Sequence, residues 1–366
     1  MVDLRERELA SKLVNYSCSV KKGEKVLIQY SVNAESLVTC IIDEVYKAGG
    51  YPILRPTVAN NFKHTLLGAD EHYFDFMADI DSYMMEKMDA VILIGGNLND
   101  FEYSDVPSEI MAIRSKHYTK PVHFDIRCSK KWVLLGYPTP NFAQSAKLST
   151  EKFEDFYFQV CNMDYAKLDK NLTPLEELMN KTDKVRIVAK NTDLTFSIKD
   201  IKAIKCVGSC NIPDGEIYTA PVKNSVNGHI EFNVPTKYDG KAFQNIYLEF
   251  KDGKIVNHKC DNDEAFEQII NTDEGARYFG EFAFGVNKFV TQSVNDILFD
   301  EKMGSSIHMA LGSSYDDAYN GNESAIHWDL IQCHKEEYGG GKIYFDDKLI
   351  YENGKFLLDN LVALND

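Results

Sequence analysis

Two polar side chains stand two residues apart in the short apolar run at 326–330, which reads Ile-His-Trp-Asp-Leu. On a β-strand, side chains at positions i and i+2 leave the same face, so His327 and Asp329 would project together. An imidazole and a carboxylate in an apolar segment are costly to bury unless hydrogen bonds or a cation satisfy them, and a divalent metal ion would satisfy both. The same spacing also fits an ordinary hydrogen-bonded pair, so a metal site requires further ligands.

Two glutamates lie in contexts that are unusually apolar for surface charges. Glu216 follows a Pro-Asp-Gly turn and precedes an apolar run, and Glu281 precedes Phe-Ala-Phe-Gly, which predicts a strand. Glutamate is rarely fully buried unless it is paired, so each predicts a partner. Taken singly, each also fits a glutamate that ends a strand in solvent.

A histidine and a tyrosine follow at a spacing of seven residues. His308 lies among small and apolar residues at 306–312, and Tyr315 comes seven positions later. Seven residues are about two helical turns, so a helix would place both side chains on one face unless Gly312 ends it. By itself, His308 also fits a hydrogen-bonded histidine of the core.

The first half of the chain alternates strands with helices. Apolar runs and helical periodicity predict strands at 24–30, 51–55, 89–95 and 121–126 and helices at 34–47, 69–88 and 108–117. This alternation favours a parallel sheet with right-handed crossovers, a Rossmann-like or flavodoxin-like layer. The turn after the first strand has neither G-x-G-x-x-G nor G-K-[ST], so nucleotide binding is not predicted.

The second half of the chain has a different sequence pattern. Polar helical sequence at 150–181 leads to short strands at 185–189, 194–198, 246–250 and 342–356, with hairpin signals at Asp252-Gly253 and Asn353-Gly354. We therefore predict an α/β protein with an N-terminal α/β domain at 1–182. A mixed α/β, strand-rich domain at 183–366 would carry the metal site and catalysis.

The amino-acid composition limits the binding partners and the cellular location that we expect for this protein. Among 366 residues, 56 Asp and Glu outweigh 40 Lys and Arg, which gives a formal net charge of −16. Such a surface repels phosphate backbones and anionic lipids, so we expect neither nucleic acid nor membrane as a partner. No run approaches the roughly 20 apolar residues of a membrane span. The charged amino terminus does not fit a signal peptide, so a cytoplasmic location is expected.

Four motifs in order make a family resemblance specific. They are Pro-Asp-Gly-Glu-Ile-Tyr-Thr-Ala-Pro at 213–221, Gly-Ala-Arg-Tyr-Phe-Gly-Glu at 275–281, the stretch 298–312 ending in His-Met-Ala-Leu-Gly, and Ile-His-Trp-Asp at 326–329. From about residue 13 to its end, the chain resembles the aminopeptidase T family of AmpS- and PepS-type thermophilic metallo-aminopeptidases. The resemblance implies a homodimer and two metal ions bound by Glu216, Glu281, His308, Tyr315, His327 and Asp329.

This set of residues suits hydrolysis. Three carboxylates, two imidazoles and one phenol provide donors for two divalent ions if at least one glutamate bridges them, and two ions about 3.5 to 4 Å apart activate a shared water and polarise a carbonyl. We expect a metallo-aminopeptidase that uses Zn²⁺, Co²⁺ or Mn²⁺ to release residues from peptides with a free amino terminus. Glu216, Glu281 and Tyr315 would be catalytic, with Tyr315 either a ligand or, preferably, a hydrogen-bond donor to the oxyanion.

Two other functions stay open at this point. His308, His327 and Asp329 alone form the two-histidine, one-carboxylate set of mononuclear iron oxygenases, and a dihydroxypyridine ring-cleaving dioxygenase resembles the same scaffold. The presence of Glu216 and Glu281, which a single iron would not need, favours the peptidase. A non-catalytic peptide-binding or storage module is the third hypothesis, and the complete set of ligands argues against it.

Overall fold

The structure is a computed structural model that describes residues 3–238 and 240–365. It divides into two compact units, unit 1 with Met1–Met163 and Gly208–Ile212, and unit 2 with Asp164–Val207 and Pro213–Asp366. The domains expected at 1–182 and 183–366 stay a prediction. None of the described helices is both long enough and apolar enough to cross a membrane.

Unit 1 is a parallel sheet with helices. Its described strands run in the order β2-β1-β3-β4-β8, and all of them pair in parallel. The strands are β1 (Lys25–Ser31), β2 (Tyr51–Thr57), β3 (Ala90–Gly95), β4 (Lys131–Gly136) and β8 (Asn211–Ile212). The helices are α1 (Leu4–Ser11), α2 (Glu35–Lys47), α3 (Ala59–Leu67), α4 (Glu71–Glu86), α5 (Ser108–Arg114), α6 (Pro140–Ser145) and α7 (Thr150–Cys161), with π-helical turns at Lys12–Ser17 and Ser115–Ile126. The predicted α/β layer is confirmed.

One predicted strand of unit 1 is wrong. Residues 121–126 continue a helix, and β4 takes the place expected for them in the sheet. Apolar and polar residues alternate from Val122 to Ile126, which is the pattern of a strand. Tyr118, Val122 and Ile126 are also spaced four residues apart, which is the pattern of a helix face. That helical face packs on a cluster that includes Leu27 and Val91, so tertiary packing decides between the two periodicities.

Unit 2 is rich in antiparallel strands. Its strands are β5 (Lys184–Ala189), β6 (Thr192–Ser197), β7 (Ile204–Cys206), β9 (Glu216–Thr219), β10 (Asn227–Phe232), β11 (Thr236–Tyr238), β12 (Lys241–Phe243), β13 (Ile246–Lys251), β14 (Lys254–Lys259), β15 (Phe279–Gly285), β16 (Ser306–Gly312), β17 (His327–Cys333), β18 (Gly341–Phe345), β19 (Lys348–Glu352) and β20 (Lys355–Phe356). Its helices are α8 (Tyr165–Met179), α9 (Asp263–Ile270) and α10 (Ile297–Asp300). The predicted strand-rich second half is confirmed.

Two sheets of unit 2 pack against each other through aromatic side chains. In the described residues, one sheet has the order β14-β13-β10-β6-β5-β18-β19-β20 and the other β17-β16-β15-β9-β7. Phe282 of β15 lies 5.0 Å from Phe196 of β6, and Phe284 lies 5.6 Å from Tyr351 of β19, measured between ring centroids. Because side chains alternate along a strand, the residues between these aromatics face the other way. That second face of the smaller sheet carries the polar residues singled out above.

Candidate metal centre

Neighbouring strands of the smaller sheet bring five of the six predicted site residues together. Glu216 begins β9, Glu281 lies in β15, His308 in β16, and His327 and Asp329 in β17. The strands are adjacent in the order β17-β16-β15-β9. His308 therefore lies on a strand, so the helical face suggested for it and a residue seven positions later is wrong.

A β-bulge in β15 lets Phe279 face the aromatic core while Glu281 faces the site. The register with β16 shifts between Phe279 and Glu281, which reverses the in-and-out alternation at that point. Phe279 stacks on Phe250 in the aromatic core, whereas Glu281 points to the opposite side. Gly280 is needed here because a Cβ at this position would come within 2.4 Å of the carbonyl oxygens of Gly312 and Ser313.

Small residues separate the polar ones on the site face. Ala310 pairs with both Glu281 and Asp329 across the strands, and Ala283 pairs with His308. Both alanines are fully buried. Their short side chains let the longer carboxylates and imidazoles of the neighbouring strands converge over the sheet.

The first group of converging side chains is Glu216, Glu281 and His308, here called the closed cluster. His308 Nε2 lies 3.3 Å from Glu216 Oε2 and 3.4 Å from Glu281 Oε1. All three side chains are buried, and His308 is only 1% exposed. Their potential ligand atoms lie within 4.8 Å of one another, which is compatible with one bound cation.

The second group is Glu281, His327 and Asp329, here called the open cluster. His327 Nε2 lies 3.2 Å from Glu281 Oε2 and 3.6 Å from Asp329 Oδ1. The side chain of His327 is 23% exposed, so this cluster reaches solvent. Glu281 belongs to both clusters and turns one oxygen toward each.

The donor atoms fit divalent cations. In the described residues Glu216 Oε2, His327 Nε2 and Asp329 Oδ1 are buried atoms that face other cluster atoms at 3.2–3.6 Å but lack a hydrogen bond of good geometry. Buried polar atoms without partners are costly, and a metal ion would satisfy these. The His327 ring bonds through Nδ1 to the carbonyl oxygen of Ser313 at 2.8 Å. A carbonyl partner fixes Nδ1 as the donor and leaves Nε2 as the ligand atom.

Electrostatics favours cations at this site. Burial alone would lower the pKa of His327, but Asp329 and Glu281 outweigh it and raise that pKa to about 12. Burial likewise opposes a charged His308, yet Glu216 and Glu281 raise its pKa well above the ordinary value. In the metal-free protein these imidazoles therefore hold protons, which a metal ion would have to displace.

Tyr315 lies at the rim of the open cluster rather than inside it. Its side chain is 47% exposed, and its ring centroid is 4.6 Å from that of His327 and 5.3 Å from that of Tyr218. Partial burial and the charges of Glu281 and Asp329 raise the pKa of Tyr315 well above the usual range. The phenol thus stays protonated at neutral pH and is available as a hydrogen-bond donor.

Sequence reasoning missed a lysine beside the closed cluster. The side chain of Lys302 is 1% exposed, and its Nζ lies 2.6 Å from Glu216 Oε1, 2.5 Å from Glu301 Oε1 and 3.9 Å from Asp214 Oδ1. Lys302 follows α10 in a turn, where no periodicity marks a residue as buried. The only signal was its place inside the motif at 298–312.

Comparisons with known proteins place the chain in a family. A family model described as thermophilic metalloprotease (M29) matches residues 3–356. Aminopeptidase 2 of Geobacillus stearothermophilus is 23% identical over 354 residues, which are 85% of this chain and 84% of that protein. Aminopeptidase AmpS of Bacillus subtilis is 24% identical over 361 residues, with 88% and 87% covered.

A solved structure shares the fold. Wild-type AmpT from Thermus thermophilus superimposes with a TM-score of 0.81 at 18% sequence identity, over 97% of this chain and 99% of that one. The fold of this chain thus occurs in a protein of very different sequence.

Proposed function

The chain belongs to the thermophilic metalloprotease (M29) family and is a metallo-aminopeptidase, and we propose that it works with two divalent ions bridged by Glu281. The observation that carries this proposal is the division of the two Glu281 oxygens between two clusters of donors. Glu216 and His308 would complete one metal position, and His327 and Asp329 the other. Glu281 is therefore the bridging glutamate, and Glu216 binds one ion only.

The charges around the clusters support two ions. Asp214, Glu216, Glu281 and Asp329 are buried carboxylates of the described residues, and Lys302 supplies one positive charge. Burial raises the pKa of the nearby Glu301 to about 8, so that side chain is mostly neutral at pH 7. The three negative charges that remain exceed what one divalent ion supplies. Buried charges are costly unless they are compensated, so a pair of ions suits this site better than one.

The protein's own side chains prepare the site for a peptide. When bound, the two ions supply an activated water and polarise the scissile carbonyl. Tyr315 at the rim donates a hydrogen bond to the oxygen that becomes negative. The acidic surroundings attract a substrate that carries a positive amino terminus.

The iron oxygenase hypothesis lacks the required geometry in the described residues. Its three ligands, His308, His327 and Asp329, do not form one group there, because His308 converges with Glu216 and the other two converge with each other. Glu281 joins these separate groups. A site for a pair of ions accounts for every one of these contacts.

Several finer points belong to the proposal. Carboxylate and imidazole ligands accept Zn²⁺, Co²⁺ and Mn²⁺, so any of the three suits the clusters. The substrates are peptides with a free amino terminus. The homodimer implied by the resemblance and the expected cytoplasmic location stay predictions.

The proposal is tested by comparing the metal-dependent hydrolysis of the wild type with that of a variant that lacks the bridging carboxylate. Stripped protein reloaded with Zn²⁺, Co²⁺ or Mn²⁺ is expected to cleave leucyl- and arginyl-anilides but not their amino-acetylated forms. Glu281→Ala should lose more than about 100-fold in kcat/KM, since even outer partners of a metal site can be worth that much. Glu337→Ala, which removes an exposed carboxylate of the same unit, is the control. Full activity of Glu281→Ala would contradict the proposal.

A further inference from the structure

A third group of potential ligands adjoins the closed cluster. Cys206, Asp214 and Glu216 each offer one ligand atom, and these atoms lie within 4.8 Å of one another. Cys206 of β7 pairs directly with Glu216 of β9, and Asp214 precedes Glu216 by two residues. A thiol between two carboxylates is a donor set that zinc accepts.

A protein cation lies beside this third group. Lys302 Nζ is 2.6 Å from Glu216 Oε1 and 3.9 Å from Asp214 Oδ1, and Glu301 Oε1 approaches it from another side. The two oxygens of Glu216 therefore have different partners: Oε1 contacts the ammonium of Lys302, and Oε2 faces His308. A single side chain occupies the volume between these acids that an ion would need.

The backbone holds this lysine in place. Lys302 N donates to Phe299 O at 3.1 Å, and Lys302 O accepts from Asn287 N at 2.9 Å. Its side chain is almost fully buried, and three carboxylates surround its ammonium group.

Stability alone is a weak reason for such an arrangement. A buried ion pair often adds nothing to stability compared with well-packed apolar residues, because desolvating the charges offsets their attraction. Lys205, whose side chain is 17% exposed, contacts Asp169 and Glu176 on the face of β7 opposite to Cys206. The position of Lys302 beside a proposed metal ligand requires a different explanation.

We propose that Lys302 is a built-in third cation, which occupies a latent metal site formed by Cys206, Asp214, Glu216 and Glu301. The inference rests on the two-ion function proposed above. By holding Glu216 Oε1, the ammonium leaves Glu216 with one oxygen for the closed cluster and limits the centre to two divalent ions. Without the lysine side chain, the same donors would take up a third ion.

Counting bound zinc tests the inference. Wild-type protein saturated with Zn²⁺ and freed of excess ion by gel filtration should hold about two ions per chain, and Lys302→Ala about three. Lys205→Ala is the matched control and should hold the wild-type number. Adding Cys206→Ser to Lys302→Ala should weaken the third ion about 10- to 100-fold in isothermal titration, whereas Cys206→Ser alone should leave two ions bound.

The outcomes separate this inference from the proposed function. A wild-type protein with fewer than two ions would contradict the two-ion function itself. Two ions in both wild type and Lys302→Ala would contradict the latent site alone. Lys302→Ser, which leaves space and adds a hydroxyl oxygen, should also bind a third ion and replaces Lys302→Ala if that variant does not fold. Failure of both variants to fold with Zn²⁺ present would likewise overturn the inference, because no ion could then replace the ammonium.

Discussion

The closed and open clusters share Glu281 but differ in their surroundings. In the closed cluster, His308 is 1% exposed, and Lys302 Nζ contacts Glu216 Oε1, the oxygen that faces away from His308. In the open cluster, the side chain of His327 is 23% exposed and Tyr315 borders it at 47% exposure. One half of the centre is thus sealed inside protein, and the other half faces the solvent from which a peptide arrives.

This difference indicates a division of labour. A sealed position with fixed ligands suits an ion that remains bound throughout the reaction, because its ligands have no solvent to exchange with. An exposed position beside a protonated phenol suits contact with the substrate's carbonyl oxygen. Each prediction below tests one consequence of that asymmetry.

The largest effect is expected from the sealed side. His308→Ala removes the only imidazole of the closed cluster, so activity should fall about 1,000-fold or more because the shared water then contacts a single ion. Bound zinc should fall from two ions per chain toward one, as elemental analysis would measure. His229→Ala in β10 is the control, since His229 lies outside both clusters. Unchanged zinc content in His308→Ala would show that the closed cluster is not a metal position.

The next effect concerns the rim. Tyr315→Phe should lower kcat about 100-fold, the loss typical of one missing oxyanion donor, while zinc content stays the same. Tyr319→Phe changes an exposed tyrosine four residues away and should leave kcat unaltered. If Tyr315→Phe instead lost an ion at unchanged pH, the phenol would be a ligand rather than a hydrogen-bond donor.

A smaller effect follows from the protons on the two imidazoles. The pKa of His327 is raised to about 12 and that of His308 lies well above its ordinary value, so both are protonated in the metal-free protein at neutral pH. Metal binding must release these protons, and affinity should rise by up to about tenfold per pH unit for each one. Titrations with Mn²⁺ at pH 6, 7 and 8, in buffers of different ionisation enthalpy, measure the release. An affinity independent of pH would contradict protonated imidazoles.

The last prediction concerns Asp300 in α10, near Lys302, and the pH dependence of stability. Burial raises the pKa of Asp300 to about 7, although its carboxylate accepts hydrogen bonds from Ser293 and Val294. A raised carboxyl pKa means that folding favours the protonated form, so this contribution to stability is lost as the pH rises from about 4 to 7. Asp300→Asn cannot ionise, so its free energy of unfolding should fall less steeply between pH 4 and 7, by up to about 1.4 kcal/mol per pH unit. Chemical denaturation of the metal-free protein at several pH values provides the check, and an identical slope in both proteins would refute it.

Local patterns in the sequence predicted much of the centre. His327 and Asp329 share a strand face because alternation along a strand is a local property, and the apolar context of Glu216 and Glu281 correctly indicated strands. The parallel sheet of unit 1 was likewise visible in alternating strands and helices. These features depend on residues that are close together in the sequence.

The rest depended on contacts between distant residues. Which glutamate is shared follows from the position of Glu281 between His308 and His327, and the order of strands that brings these residues together leaves no mark in any one of them. Nothing in the sequence marked Lys302 as buried, because two of its three acidic partners, Asp214 and Glu216, lie far from it along the chain. Residues 121–126 carried two periodicities at once, and packing on Val91 selected the helical one.

The most direct test of the shared glutamate is the location of the ions themselves. Anomalous diffraction from crystals soaked in Mn²⁺ should give two peaks about 3.5 to 4 Å apart. One peak should lie beside Glu216 and His308 and the other beside His327 and Asp329, with Glu281 between them. A single peak, or two peaks without Glu281 as a common ligand, would contradict the account.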